Sequence, residues 1–260
     1  MGLSTAYFSW NVQAWLDAGW LKLGSVFIDF GAQEFYADAA ELRRELDSFL
    51  RKHGVAQDRI AAAVGNDMPM VRAIYEALGI LYYSVDVDGA HGSAFFDLNS
   101  FAPPPYWENT FDFVNNEGTL EHLANPVNGF QVAHEIVKVG GVIRHNFPLI
   151  GWREHGFLYP TTKFYAHLCG DNGYEVLKAK AELSESEPFE DAFFKYVIDL
   201  NTQCKVAAPQ VTNIWGELVY RKTSDRPFVI PVDHVAGPNA AEARERLIAH
   251  HRRVAKARIS

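Results

Sequence analysis

The sequence predicts an α/β domain built on a doubly wound, mostly parallel sheet of about seven strands, the last pair antiparallel, with helices on both faces. Three observations predict it. Short apolar runs ending in Gly or Asp recur along the chain, stretches with apolar residues at steps of three and four separate them, and two late stretches alternate apolar with polar residues.

The elements follow in order. Phe8, Trp10, Val12, Trp15 and Trp20 mark a short amphipathic helix over residues 1–24, a lid on the domain. SVFIDFG, from Ser25 to Gly31, reads as a fully buried first strand. Phe35, Ala39, Leu42, Leu46 and Phe49 then recur with helical spacing until His53-Gly54 stops them. A second helix begins near Pro69, carries Val71, Ile74, Tyr75 and Leu78, and ends at Gly79, where ILYYSVDVDG starts the next strand. FDFVNN, from Phe111 to Asn116, is another strand. A helix around Phe130, Ala133 and Val137 follows, then a Gly140-Gly141 turn and the strand Val142–Pro148. Tyr174–Leu183 and Ile214–Thr223 complete the sheet near an edge. Residues 25–225 thus make the α/β domain, and 226–260 a C-terminal extension with a terminal helix.

Composition narrows the class of function. With 48% apolar and 22% charged residues the chain can bury a large core, and a net charge of −8 argues against a phosphate-backbone partner. The basic stretch His250–Arg258 reads as one face of the terminal helix. Cys169 and Cys204 form no CxxC pair, so neither a zinc site nor a disulfide framework is expected. With no apolar run long enough to span a bilayer and no leader pattern, the expectation is a soluble cytoplasmic protein, with a homodimer possible.

Ligands of an open parallel sheet bind beyond the carboxyl ends of its strands, where the strand order reverses. That rule puts Asp29 and Gly31, Asp86, the polar run after Val114 with Asn115, Asn116 and Glu117, and His145 on one rim. Beyond the strand ends, the helical turn TLEHL carries Glu121 and His122, and the loop GWREHGF carries Trp152 and His155.

In order and spacing these pieces resemble a class I S-adenosylmethionine-dependent methyltransferase, a family with a Rossmann-like fold. FIDFGAQ resembles its first motif, SVDVDG its second, FFDLN the segment beside the adenine, and FDFVNNEGTLEHL with VKVGGVIRHNFP the fourth and fifth strands. GTLEH, RHNFP and EHGF resemble, more narrowly, a group with GTxEH and HGF segments. The family's glycine-rich loop is reduced here to Gly31-Ala32-Gln33-Glu34-Phe35, with Phe35 where a small residue is usual.

The resemblance implies S-adenosylmethionine as cofactor. It places Asp29, Gly31, Gln33, Asp86, Asp97, Asn116 and Glu117 around that cofactor, with Asp86 on the ribose, Asp97 by the adenine and Gln33 at the methionine portion. It also implies methyl transfer to an oxygen or nitrogen of a small, natural-product or sugar-like acceptor. His122 is the expected general base with His145 next, and His155, Trp152, Tyr106 and Tyr159 are expected to line the acceptor pocket beside Trp107. The three histidines with Glu117 or Glu121 offer the donors of a divalent-metal site, but they fit no short metal-ligand motif, so the metal is the lesser reading and none is expected. Two other readings stay open. One is a non-catalytic nucleotide-binding module of methyltransferase descent. The other is a nicotinamide or nucleotide-sugar enzyme, for which the chain lacks both GxGxxG and a Tyr-x-x-x-Lys pair.

Overall fold

The computed structural model describes residues 2–36, 38–65, 68–150, 152, 155–183, 214–233 and 240–257. Cys204, together with Gly151, Arg153 and Glu154 of the GWREHGF stretch, lies outside the described residues. The strands are β1 (Gly2–Leu3), β2 (Val26–Phe30), β3 (Glu34–Phe35), β4 (Leu81–Asp86), β5 (Ala94–Phe95), β6 (Phe111–Glu117), β7 (Val137–Ile150), β8 (Glu175–Leu183) and β9 (Ile214–Arg221). The helices are α1 (Gln13–Asp17), α2 (Ala39–Lys52), α3 (Gln57–Val64), α4 (Val71–Ala77), α5 (Pro126–Ile136), α6 (Thr162–Asn172) and α7 (Ala240–Ala257). Seven strands form one sheet in the order β5-β4-β2-β6-β7-β9-β8. It is the mostly parallel α/β sheet the sequence predicts, with β9 antiparallel to both β7 and β8. From β2 the chain builds outward through β4 and β5, then returns to place β6 on the other side of β2. The strand order therefore reverses between β2 and β6.

Two compact units divide the chain. The first, Met1–Asp97 with Thr110–Glu117, contains β2, β4, β5 and β6, all paired in parallel. Helix α2 starts at Ala39 because the Asp38 carboxylate accepts from the Ala40 and Glu41 amides, and it buries Leu42, Leu46, Phe49 and Leu50. Phe35, expected within this helix, lies instead in β3, which pairs with β1 as a separate two-stranded ribbon. The aromatic N-terminal stretch is helical through Phe8–Val12 and α1. Its Trp15 stacks on Phe113 at 4.9 Å, and Phe27 stacks on Tyr75 at 4.6 Å. Burying such a ring contributes roughly 1.5–3 kcal/mol, which fixes this segment as core although Trp10 stays exposed. Helix α3 was not foreseen: its alanines leave only Ile60, Ala63 and Val64 as a buried stripe.

The second unit, Leu98–Asn109 with Gly118–Ser260, is built on β7, β9 and β8. Here the structure corrects the expected helix, turn and strand. Helix α5 ends at Ile136, and β7 already begins at Val137, running through Gly140 and Gly141. Gly140 takes a φ of 85° while its amide bonds to Lys222 O, so the two glycines kink a strand without ending it. Helix α6, also unforeseen, is capped by the Thr161 hydroxyl at Phe164 N and closed by left-handed Gly173. Phe130, Phe147, Tyr165 and Tyr220 pack in its core, with Phe147 stacked on Tyr165 at 4.1 Å. Among the described residues no helix is long and apolar enough to cross a membrane.

Candidate functional site

In the first unit the polar residues gather at the carboxyl ends of β2, β4 and β6. Gly31 follows β2 with a φ of 85°, a conformation that favours glycine and leaves the backbone open to close approach. Its amide bonds to Val85 O, which ties the turn to the end of β4. Asp86 closes the same corner: Oδ2 accepts from Ala32 N at 2.8 Å and Oδ1 from Val87 N at 2.7 Å. Each carboxylate oxygen has a second lone pair, so both can still accept a hydroxyl.

Beneath this turn lies a buried polar network. Asp29 is 1% exposed, and its carboxylate accepts from Tyr82 Oη at 2.8 Å and from Asn115 Nδ2 at 2.6 Å. Burial, then the Asp29 charge, pushes the Tyr82 hydroxyl well above its ordinary pKa. Asp29 therefore braces the rim from inside. Asn116 is fully buried on β6, Glu117 ends that strand half-buried, and Asp97 is half-buried just beyond β5.

A cavity of roughly 210 Å³ opens beside Ala32 and Gln33, with Met70, Arg72, Ser84 and His91 among its lining. Gln33 is 5% exposed, and its Oε1 has no hydrogen-bond partner among the described residues. The Arg72 guanidinium donates to Tyr82 O and Gly92 O and lies 5.5 Å over the Tyr82 ring. His91 Nε2 meets Glu34 Oε1 at 2.5 Å, at the cavity's edge. The sequence reading missed Arg72 and His91. His91 has a visible signal in the glycines that bracket it, Gly89 and Gly92, and it takes a φ of 52°.

The second unit brings together Glu121, His122 and His155, whose ligand atoms all lie within 4.8 Å of one another. Gly118, with a φ of 69°, turns the chain after β6, and the one-turn helix Leu120–His122 buries Glu121 while exposing His122. The Glu121 carbonyl accepts from Phe157 N at 2.7 Å and Leu158 N at 3.1 Å, which locks residues 155–158 against the turn. Trp152 donates through Nε1 to Ile214 O and packs on both His155 and Trp215. Tyr159 Oη accepts from Gly156 N. Burial lowers the pKa of His155, and burial followed by the neighbouring His155 lowers that of His122.

Two expected positions lie elsewhere. His145 does not stand on the rim: it pairs with Leu218 inside the sheet, is 0% exposed, and bonds through Nε2 to Tyr220 Oη at 2.9 Å. Its side chain falls on the covered face because residues alternate along β7, a choice the strand-end rule cannot make. Tyr106 is exposed beside Trp107 in the short helix Pro105–Trp107.

No family model matches the chain, and no curated protein matches it. Solved structures do. A putative sarcosine dimethylglycine methyltransferase from Galdieria sulphuraria is 14% identical, with a TM-score of 0.48 over 83% of this chain and 84% of that one. Phosphoethanolamine N-methyltransferase 2 of Haemonchus contortus, in complex with S-adenosyl-L-methionine, is 12% identical with a TM-score of 0.44, over 83% of this chain and 53% of that one. The [4+2]-cyclase SpnF is 15% identical with a TM-score of 0.41, over 78% of this chain and 76% of that one.

Proposed function

We propose that the chain is an S-adenosylmethionine-dependent methyltransferase acting on an oxygen or nitrogen of a small, natural-product or sugar-like acceptor. The observation that carries the reading is the corner where left-handed Gly31 and the strand-end carboxylate of Asp86 meet, linked through Ala32 N at the carboxyl ends of β2 and β4, beside the reversal of strand order. The residues fit the cofactor. Asp86 keeps two acceptor positions for vicinal ribose hydroxyls, and Gly31 leaves room for close approach. The orphaned Gln33 Oε1 offers a buried acceptor to the ammonium of the methionine portion. At roughly 210 Å³ the cavity beside Gln33 is smaller than the ~300–1,000 Å³ of ordinary ligand pockets, so it suits one end of the molecule. Asp97 and Glu117 complete the cofactor's surroundings in this reading, with buried Asp29 and Asn116 supporting them from beneath.

When bound, the cofactor supplies an electrophilic methyl group. The chain's own residues position the acceptor and handle its proton, and orientation alone can supply roughly 7–11 kcal/mol of the barrier. Acceptor contacts fall to Trp152, His155 and Tyr159, and the acceptor proton is lost at the Glu121–His122–His155 cluster, whose exposed member is His122. His145 is left out of this chemistry because no atom of it reaches solvent.

Calorimetry with S-adenosylmethionine tests the reading. Binding to the wild type is expected, with affinity for Asp86→Ala reduced 10-fold or more, because each hydrogen bond to a charged acceptor is worth about 1.5–3 kcal/mol. A melting curve confirms that the variant is folded. The absence of binding at millimolar cofactor sinks the proposal, and an unchanged affinity in folded Asp86→Ala removes the ribose assignment.

A further inference from the structure

We infer that Glu121, His122 and His155 form a binding site for one divalent transition-metal ion. The inference stands on the cluster's geometry and not on the cofactor reading, and it departs from the expectation drawn from sequence spacing. Short motifs such as HExxH place ligands one helical turn apart, whereas these ligands come from two segments joined only by the fold.

The first segment is the turn Leu120–His122, and the second is the loop around His155. Their junction is built for close approach. A Cβ at Gly156 would stand 2.7 Å from Glu121 O and 2.9 Å from Glu121 Cγ, so only glycine lets the loop lie against the carboxylate-bearing residue. The two amides that follow, Phe157 N and Leu158 N, then clamp the Glu121 carbonyl. Trp152 and Trp215 flank the His155 ring, with centroids 5.1 and 5.9 Å away.

The spacing of the donor atoms favours an ion over a direct contact. His155 Nε2 is buried, has no hydrogen-bond partner among the described residues, and stands 3.7 Å from Glu121 Oε1. That is too long for a hydrogen bond. Two ligands at ~2.0–2.1 Å from one tetrahedral ion stand about 3.4 Å apart, close to the spacing of this pair, and the His122 ligand atom, within 4.8 Å of both, would move inward to seat a metal. His122 completes the set, its ring centroid 5.1 Å from that of His155. Two imidazoles and one carboxylate are a donor set for zinc or iron(II), and they leave coordination positions open for a further ligand. An ion held here would polarise an acceptor hydroxyl and lower its pKa, so the acceptor would meet the metal and not a free imidazole.

The test uses the full chain without cofactor, so its outcome is separate from that of S-adenosylmethionine binding. Metal-free protein is titrated with Co²⁺, followed by visible absorption, and with Zn²⁺, followed by calorimetry. One ion per chain is expected at micromolar affinity or tighter, weakened at least 100-fold in Glu121→Gln, His122→Ala and His155→Ala. His122 is exposed, so its variant is expected to keep the wild-type melting temperature and decides the matter even where Glu121→Gln fails to fold. The pair His250→Ala/His251→Ala controls for adventitious binding at the terminal helix and is expected to bind as the wild type does. No one-to-one binding by the wild type, unchanged binding in folded His122→Ala, or loss of binding only in the His250/His251 pair would each overturn the assignment.

Discussion

The buried imidazole of His145 makes the protein's stability depend on pH in a way that one substitution isolates. Burial first, and the Arg144 charge second, push its pKa down from 6.5 to about 3. Between about pH 6.5 and about pH 3 the folded protein thus holds His145 neutral while the unfolded chain carries the proton. For a histidine with a lowered folded-state pKa the sign is fixed: stability is complete above the unfolded value of about 6.5, falls as the pH drops below it, and levels off only below about 3. Between pH 7 and pH 5 this one group costs about 2 kcal/mol of unfolding free energy by linkage. His134, whose pKa is lowered to about 4 by burial and then by Lys222, contributes a similar loss over the same interval. In urea titrations the wild type is therefore expected to lose about 4 kcal/mol between pH 7 and pH 5 from the two histidines together. His145→Phe keeps a ring between Phe130, Tyr165 and Tyr220 but cannot titrate. It costs stability at pH 7, about 1–3 kcal/mol for the stranded Tyr220 hydroxyl, yet should lose about 2 kcal/mol less than the wild type on going to pH 5. Equal losses in the two proteins would mean that His145 titrates normally in the fold and that its burial has been misjudged.

Three further outcomes are expected. Glu217, 4% exposed, meets Arg144 at 2.7 Å and Lys178 at 2.8 Å, so in denaturant titrations at pH 7 Glu217→Leu should lose about 3–5 kcal/mol by leaving the buried guanidinium without its carboxylate. Despite its burial, Arg144 and then the two lysines hold the Glu217 pKa down at about 2. Its contribution is therefore present above the ordinary carboxylate range and lost only as the pH falls towards about 2. Gly156→Ala forces a methyl group against the Glu121 backbone and should lower the melting temperature by several degrees, roughly 2–4 °C per kcal/mol for a chain of this size. If methyl transfer is assayed with a competent acceptor, His122→Ala should lower turnover by ~10²-fold or more while calorimetry shows cofactor affinity within about 2-fold of wild type; an equal loss in both would place His122 at the cofactor.

Much of the fold could be read from the chain because its signals are local. The apolar run Val26–Phe30 has a single outcome, and the spacing of Leu42, Leu46 and Phe49 needs no partner to declare a helix. What was missed depended on contacts far along the chain. The Gly140-Gly141 pair reads as a turn until Lys222 supplies the hydrogen bonds that keep it within a strand. Phe35 fits a helical stripe until Gly2 and Leu3 draw it into a ribbon.

The candidate site divides along the same line. Gly31 and Asp86 stand where a strand-end rule puts them, because that rule depends only on strand order. Whether a polar residue near a strand end faces solvent or the core is a question of alternation and register. His145 and His122 look alike in sequence, yet one is enclosed by three aromatic rings and the other is exposed on a one-turn helix. The juxtaposition of Glu121 with His155 is harder still to foresee. It spans more than thirty residues and rests on a glycine that must be small. The local clue was the glycine itself: in EHGF, Gly156 follows the ligand and precedes the two residues whose amides grip the Glu121 carbonyl, so the motif carries both the donor and its means of approach. A sequence motif that joins a metal-ligating side chain to the backbone geometry delivering it is better evidence of a site than the spacing of donors alone, because it encodes the packing that spacing leaves out.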